Sequence, residues 1–405
     1  MRHKQGQGDN MAAPRTDRFI SIDALRGIAV LGILMMNVQG FAMSPFAYDN
    51  PTLQMDLTGG NLTVWALAHT FFAFKFITIF STLFGAGIIL MAGEGEDTGR
   101  HYPRMLWLLA IGLIHAYLIW WGDILVTYAL LGMLAVKARR MAPTPLIIWG
   151  LVLIGVSAVV MLGGTYLGAM MGGEGASEQE AFMADMLENS TAAYQAGYLD
   201  RLPWNMGFAL MGQVAGMIML GARTLGLMFI GMALMKSGFL SASWSTARYA
   251  ILAAIGLALG WWMNHMSTTT LIAGEFSPQA MADGNAWSYF GSLVLAFGYA
   301  AFIMLVSRIG VFSLIVKLFA ATGRMAFTNY LTQSLIMTYI FVGMPGLGLF
   351  GTVERVDQAK LVLLVWALQL VWSPIWLHFF RFGPLEWVWR TLTYGEAQPL
   401  VKRQA

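Results

Sequence analysis

The sequence predicts an all-α fold, a polytopic transmembrane helical bundle of about ten spans with both termini cytoplasmic. Three observations point there. Hydrophobic residues make up 58% of the 405 and charged ones only 11%, against roughly a quarter charged in soluble domains. The apolar residues gather in runs that reach the length of a bilayer crossing, about 20 residues each. Threading those runs in and out places most basic residues on one side, as the positive-inside rule requires.

The first eighteen residues are polar and basic, lack an apolar stretch and a small-residue cleavage site, and read as a cytoplasmic tail rather than a signal peptide. Residues 19–396 then read as one integral-membrane domain and 397–405 as a second cytoplasmic tail. Spans are expected near 20–42, 63–91, 103–120, 123–137, 145–170, 222–237, 248–266, 286–307, 325–343 and 359–380. In this threading the inner segments collect Arg15, Arg18, Arg100, Arg104, Arg139, Arg140, Lys236, Arg308, Arg324 and Arg381, among others. The outer ones hold Arg201, Arg355 and Lys360 beside many acids, such as Asp56, Glu188, Asp200 and Glu354.

Within the chain, "WWGD" (120–123) reads as a tight outer turn, with tryptophans at the interface and Gly122 permitting the bend. Residues 171–203 form the largest outer loop, polar and partly helical. Residues 204–237 are apolar for longer than one upright helix and are interrupted by Arg223. They predict a surface or re-entrant piece at 204–221 and a span from 222. Residues 311–321 are apolar but short and suit the inner interface. The segment 381–396 reads as an amphipathic anchor on which Glu386 and Arg390, four apart, pair on one face. Glycines in "GGTYLGAMMGG" suit close helix approach, within the chain or in a homodimer.

Composition also excludes. The net charge of +3 is small and unclustered, which argues against a nucleic-acid partner. There is no cysteine, so disulfides and thiol catalysis are ruled out. No P-loop, HExxH, GxSxG or HxxxxD pattern occurs, and no residue spacing suggests a metal site.

Ionisable groups at membrane depth are costly and mark candidate sites. Asp23 and Arg26, three apart, can pair at the inner end of the first span, where Arg26 would also suit an anionic ligand. Asn37 lies towards the outer end of that span, and Lys75 in the outer half of the second. His115 sits about 18 Å along the third span from Pro103. The turn at Trp120, Trp121 and Gly122 would fold Asp123 back on it, orienting the imidazole as a triad carboxylate does. Arg223 would meet Asp123 or an anionic substrate near the outer side, and His69 is a second candidate base.

Four stretches carry a resemblance: "IDALRGIAVLGILMMN" (22–37), "KFITIFSTLFGAG" (75–87), "GLIHAYLIWWGDILVTYALLG" (112–132), and "GRMAFTNYLTQSL" (323–335) with "GPLEWVWRTLTYG" (383–395). Together they resemble the YeiB family of bacterial inner-membrane proteins, a domain of unknown function. The resemblance runs from near residue 18 to near residue 396. That family looks distantly similar to heparan-α-glucosaminide N-acetyltransferase and to acyltransferases that decorate bacterial surface glycans. The shared element is a first span that runs through "LRGIA" to a polar residue, here Asn37. The lysosomal enzyme has its catalytic histidine in the outer loop after span one. No histidine lies between Asn37 and His69 here, so His115 or His69 would take that role.

The resemblance implies acyl transfer in the bacterial cytoplasmic membrane, with no permanently bound cofactor. An acyl-CoA, acetyl-CoA being one candidate, would be the co-substrate. Its phosphates would dock on Arg26, Arg104 and Arg324. His115 would act as base or acyl carrier, oriented by Asp123, and Lys75, Asn37 or Asn329 would stabilise the oxyanion. Trp120, Trp121, Arg223 and His69 would contact an acceptor glycan, lipid or small molecule. A transporter of a small or lipid-like molecule, or a non-catalytic scaffold, are the alternatives, since intramembrane His, Lys and Asp also suit proton coupling.

Overall fold

The structure is a computed structural model that describes residues 19–95, 97–171 and 176–402, and every regular element among them is a helix. The chain opens with α1 (Ile20–Ala42), the short α2 (Pro45–Asp49), α3 (Gly59–Phe71), α4 (Lys75–Ala92), α5 (His101–Ile114) and α6 (Leu125–Ala135). It continues through α7 (Pro143–Met171), α8 (Ala176–Ala196), α9 (Tyr198–Lys236), α10 (Thr246–Ala273) and α11 (Pro278–Arg308). It closes with α12 (Ser313–Arg324), α13 (Ala326–Phe341), α14 (Arg355–Phe379) and α15 (Pro384–Tyr394).

Eight segments among the described residues are long and apolar enough to cross a membrane, and the bent pair α12–α13 has the length and composition of a broken span or a re-entrant loop. The expected fourth span, α6, is too short to cross alone. The chain reverses inside the protein before it, at Trp120 and Asp123, which are both buried. A short helix is therefore enough to return to the end that carries Arg139 and Arg140.

Two other expectations are corrected. Residues 204–221 are not a surface or re-entrant piece, because α9 runs unbroken from Tyr198 to Lys236. Arg223 does not interrupt it, since the guanidinium finds partners inside the bundle: Nη2 donates to Thr78 Oγ1 at 3.0 Å and Ser292 Oγ at 2.8 Å. At 1.5 Å per residue this helix is roughly 58 Å long, almost twice a hydrocarbon core. Its first turns cover the end of α5, where Tyr198, Arg201 and Asn205 bond the carbonyls of residues 116–118. The second span is also broken, between α3 and α4. Phe74 takes a left-handed φ of 62°, and Lys75 Nζ donates to the His69 carbonyl near the end of α3 at 2.7 Å. A cation at a helix C-terminus is favourable there.

Glycines set the closest helix pairs. A Cβ at Gly85 would overlap the Met228 carbonyl, and one at Gly231 the Thr82 carbonyl, so α4 and α9 pack backbone to backbone. Gly27 and Gly323 bring α1 and α12 together the same way. The glycine patch on α7 is not used so: Gly163, Gly164 and Gly168 meet nothing within 4 Å. Its last two glycines lie outside the described residues.

At the arginine-rich end, α12 and α13 meet at 72°. The expected Glu386–Arg390 pair is replaced by a cap. The Glu386 carboxylate accepts from the backbone N–H of Phe327 at 2.8 Å and of Thr328 at 3.0 Å, and from the Thr328 hydroxyl. An anion at this helix N-terminus satisfies donors that the helix leaves open. Arg390 instead lies over the rings of Phe382 and Tyr394. Burial raises the Glu386 carboxyl above its ordinary 4.5, and the hydrogen bonds from Thr328 and Phe327 oppose that. A raised carboxyl binds its proton more tightly in the folded state, so stability falls as pH rises through and above 4.5. Glu386→Gln is expected to flatten this part of the melting-temperature profile, read by thermal melts in detergent across that range.

Candidate functional site

The site is built where α5 stops being an α-helix. Residues His115–Ile119 form one π-helical turn, closed by the Trp120 N–H on the His115 carbonyl at 2.8 Å. Such turns free carbonyls that hydrocarbon cannot solvate. Here α9 supplies the donors: Asn205 Nδ2 to Ala116 O at 2.9 Å and Tyr117 O at 3.0 Å, and Arg201 Nη2 and the Tyr198 hydroxyl to Leu118 O at 3.1 and 2.8 Å. Thr338 of α13 reaches Ile119 O at 3.4 Å.

The chain then turns back. Trp120 packs flat on Phe41 at 4.1 Å and donates Nε1–H to the Gly40 carbonyl at 3.1 Å. It is a buried wall rather than an interfacial anchor, because the start of α9 covers this end. A side chain at Gly122 would run into the Trp120 ring. The turn delivers Asp123 to two partners. Its Oδ1 accepts from the Val126 N–H at 2.9 Å, starting α6 as a cap does. Its Oδ2 lies 2.7 Å from His115 Nδ1.

The other ring nitrogen, His115 Nε2, lies 2.9 Å from Ser334 Oγ on α13. Carboxylate, imidazole and hydroxyl thus stand in line, with His115 1%, Asp123 8% and Ser334 1% exposed. An imidazole that donates Nδ1–H to Asp123 presents Nε2 as an acceptor for the Ser334 hydroxyl proton, the arrangement that activates a serine. The Tyr330 ring, one turn before Ser334, packs against the imidazole at 5.2 Å between centroids.

The three arginines expected to hold a donor converge. Arg26, Arg104 and Arg324 line one cavity of about 280 Å³, together with the single carboxylate of Glu386. Arg26 also pairs with Asp23 at 2.9 Å, as their spacing predicts. Arg104 lies 3.9 Å over the Trp389 ring. The walls beyond are apolar, among them Phe80, Leu83, Phe84 and Leu108. The far end is formed by Tyr330, Tyr128 and Ile124, the last being Asp123's neighbour in sequence. His115 does not line the cavity: Tyr330 stands against both.

Other expected site residues lie elsewhere. Arg223 does not meet Asp123; it is held by Thr78 and Ser292 and lies 4.5 Å over the Tyr289 ring. His69 is engaged with Ser267 at 3.0 Å and stacked on Trp65, so it is not a base near His115. Lys75 is used in the helix break. Asn329 cannot donate to an oxyanion, because its amide is fully engaged. Nδ2 donates to Thr322 O and Ser373 Oγ, and Oδ1 accepts from Trp372 Nε1. Asn37 is half-buried and is not a partner of His115, Asp123 or Ser334. Trp121 flanks Trp120 at 5.7 Å and edges the turn.

The residues that sequence reasoning missed are Ser334, Tyr330, Asn205 and Arg201. A signal existed for the first two. Tyr330, Ser334 and Thr338 recur every four residues through an apolar helix, which puts them on one face. For Asn205 and Arg201 the signal was hidden by treating 204–221 as a surface piece.

Comparison with known proteins agrees in extent and sharpens nothing about chemistry. A family described as "Protein of unknown function (DUF418)" matches residues 234–396. "Uncharacterized protein YxaH" of Bacillus subtilis (strain 168) is 29% identical, over 96% of this chain and 97% of the relative. A 39.9 kDa protein encoded 3′ of an amylase in Bacillus acidopullulyticus is 25% identical over 96% of this chain and 98% of its own. "Uncharacterized protein YeiB" of Escherichia coli (strain K12) is 31% identical, over 96% of this chain and 99% of the relative. With that identity along the whole length, this multi-pass membrane protein belongs to the YeiB family.

Proposed function

We propose that the protein is a membrane acyltransferase that takes an acyl group from a cytoplasmic donor of the acyl-CoA type and passes it to an acceptor hydroxyl or amine. One observation carries the reading: a cavity with three guanidiniums ends on Tyr330, which packs directly against an Asp123–His115–Ser334 line. The positive-inside rule puts the arginine-rich end in the cytoplasm of a bacterial cell, where a phosphate-bearing thioester would be drawn to Arg26, Arg104 and Arg324. The apolar walls suit its arm and acyl chain.

Ser334 Oγ then attacks the thioester carbonyl carbon. The C–S bond breaks, and the serine proton passes to His115 Nε2 and on to the departing sulfur, giving the free thiol. The acceptor attacks the acyl-serine from the Trp120–Trp121 side, giving its proton to His115, which returns it to Ser334. Asp123 keeps the imidazole in the accepting tautomer throughout. Because Tyr330 closes the cavity from Ser334, turnover requires this ring to swing aside.

The test is covalent capture. Purified protein is incubated with radiolabelled acetyl-CoA and, in parallel, palmitoyl-CoA, then denatured and treated with alkaline hydroxylamine, which cleaves an oxyester. Label is expected on the wild type, released by hydroxylamine, and absent from Ser334→Ala. Label retained by that variant, or none on the wild type from either donor, overturns the reading. A further expectation concerns the mouth. Each lost charge-assisted contact to phosphate costs about 1.5–3 kcal/mol. Arg104→Ala should therefore weaken donor binding by roughly tenfold or more in an equilibrium competition assay.

A further inference from the structure

We infer that Arg223 and Lys75 form a buried binding site for a small monovalent anion, a halide or a short carboxylate, between α4, α9 and α11. This site is separate from the arginine cavity. Lys75 and Thr78 lie on one face of α4, while Phe80 and Phe84, which line that cavity, lie on the other.

Charge balance is the first argument. Lys75 is 0% and Arg223 3% exposed, and Arg223 Nη2 bonds Thr78, one turn along α4 from Lys75. No Asp or Glu among the described residues pairs with either. Two basic groups at membrane depth with no counter-charge are expensive, and such residues ordinarily find a partner of opposite sign.

Open hydrogen bonds are the second. Arg223 Nη2 is engaged by Thr78 and Ser292, but Nη1 is buried with no acceptor. Lys75 carries three N–H groups and uses one, on the His69 carbonyl. The guanidinium is held in place between the Tyr289 ring at 4.5 Å and the Phe74 ring at 5.6 Å, so its free edge has a fixed direction.

Space is the third. A cavity of about 160 Å³ reaches Thr78, which holds the Arg223 guanidinium, and is lined also by Leu25 and Leu240; Lys75 and Arg223 themselves stand behind Thr78 and do not line it. Its walls are apolar, among them Ile154, Leu227 and Leu293. Few donors and apolar walls suit a weakly hydrated monoanion and oppose a sulfate or phosphate dianion.

The test is direct binding of radiolabelled chloride to the full-length protein in detergent, with sodium bromide, sodium formate and sodium sulfate as competitors at constant ionic strength. Saturable binding displaced by bromide or formate and not by sulfate is expected. Lys75→Gln keeps a hydrogen-bond donor for His69 while removing the charge, and Arg223→Lys keeps the charge while removing the fork. Each should weaken chloride binding about tenfold or more. Ser334→Ala should bind chloride like the wild type, so failure of acyl capture leaves this result untouched. No saturable binding by the wild type, displacement by sulfate as readily as by bromide, or unchanged affinity in both charge-site variants overturns the proposal.

Discussion

Asp123→Asn is expected to slow acyl capture about 10³–10⁴-fold, the scale of the matching change in a serine-protease triad, with little change in melting temperature. The two carboxylate oxygens have different tasks, and the amide can keep only one. With its oxygen on the Val126 N–H, the start of α6 is preserved. The amide nitrogen then faces His115 Nδ1 and donates to it, so the imidazole must carry its proton on Nε2. An Nε2–H donates to Ser334 and can no longer take its proton. Asp123→Ala loses the cap as well, which costs about 1 kcal/mol, so it should both inactivate and destabilise. Capture rates from stopped reactions, with melts of the same preparations, separate the two effects. An asparagine variant that captures label at the wild-type rate contradicts the tautomer argument.

Gly231→Ala is expected to be the most damaging small substitution on the α4–α9 contact. Its new methyl group would overlap the Thr82 carbonyl, and a backbone atom cannot step aside as a side-chain tip does. Overpacking typically costs about 1–3 kcal/mol, and a backbone-to-backbone clash belongs at the upper end. Separating α4 from α9 also moves Phe80 and Leu83, which wall the arginine cavity, so donor affinity should fall with stability. Gly163→Ala is the control. Its methyl group meets nothing within 4 Å, and alanine improves helix propensity by about 1 kcal/mol. Melts in detergent should show the first variant falling and the second holding or rising. Equal behaviour would show that glycine contact does not hold these helices.

The helical membrane architecture was legible because hydropathy and charge alternation are properties of segments, and segments are what a bilayer selects. The His115–Asp123 contact was legible because both partners lie within one turn of the chain, where eight residues and a glycine limit the geometry. The convergence of Arg26, Arg104 and Arg324 was legible for a coarser reason, since all three belong to the arginine-rich end. Ser334 was not, because its partner is 219 positions away and a serine in an apolar helix more often bonds its own backbone. The Tyr330 carbonyl lies 3.3 Å from its oxygen, a longer alternative to His115 Nε2 for the one hydroxyl proton. Arg223 misled the reading of α9 because hydropathy treats an arginine as an end. It cannot see a threonine and a serine on other helices waiting to receive it. Asn329 misled it in the opposite sense: a polar group in a matched motif looked available for chemistry, yet three neighbours saturate it.

The cap that Glu386 places on α13 ties the order of synthesis to the placement of the proposed nucleophile, Ser334. Ser334 rides on a helix whose first turn is fastened by a residue some fifty positions later, and the fastening segment is itself pinned. Trp389 Nε1 reaches the Arg104 carbonyl at 3.0 Å, and the final strand of chain bonds back through Arg381 N–H to Leu400 O at 2.8 Å. A ribosome must therefore release nearly the whole polypeptide before that hydroxyl is set in register. Chains cut short after α14 should insert into the bilayer yet capture no label, because the helix that carries Ser334 would have lost its fastening.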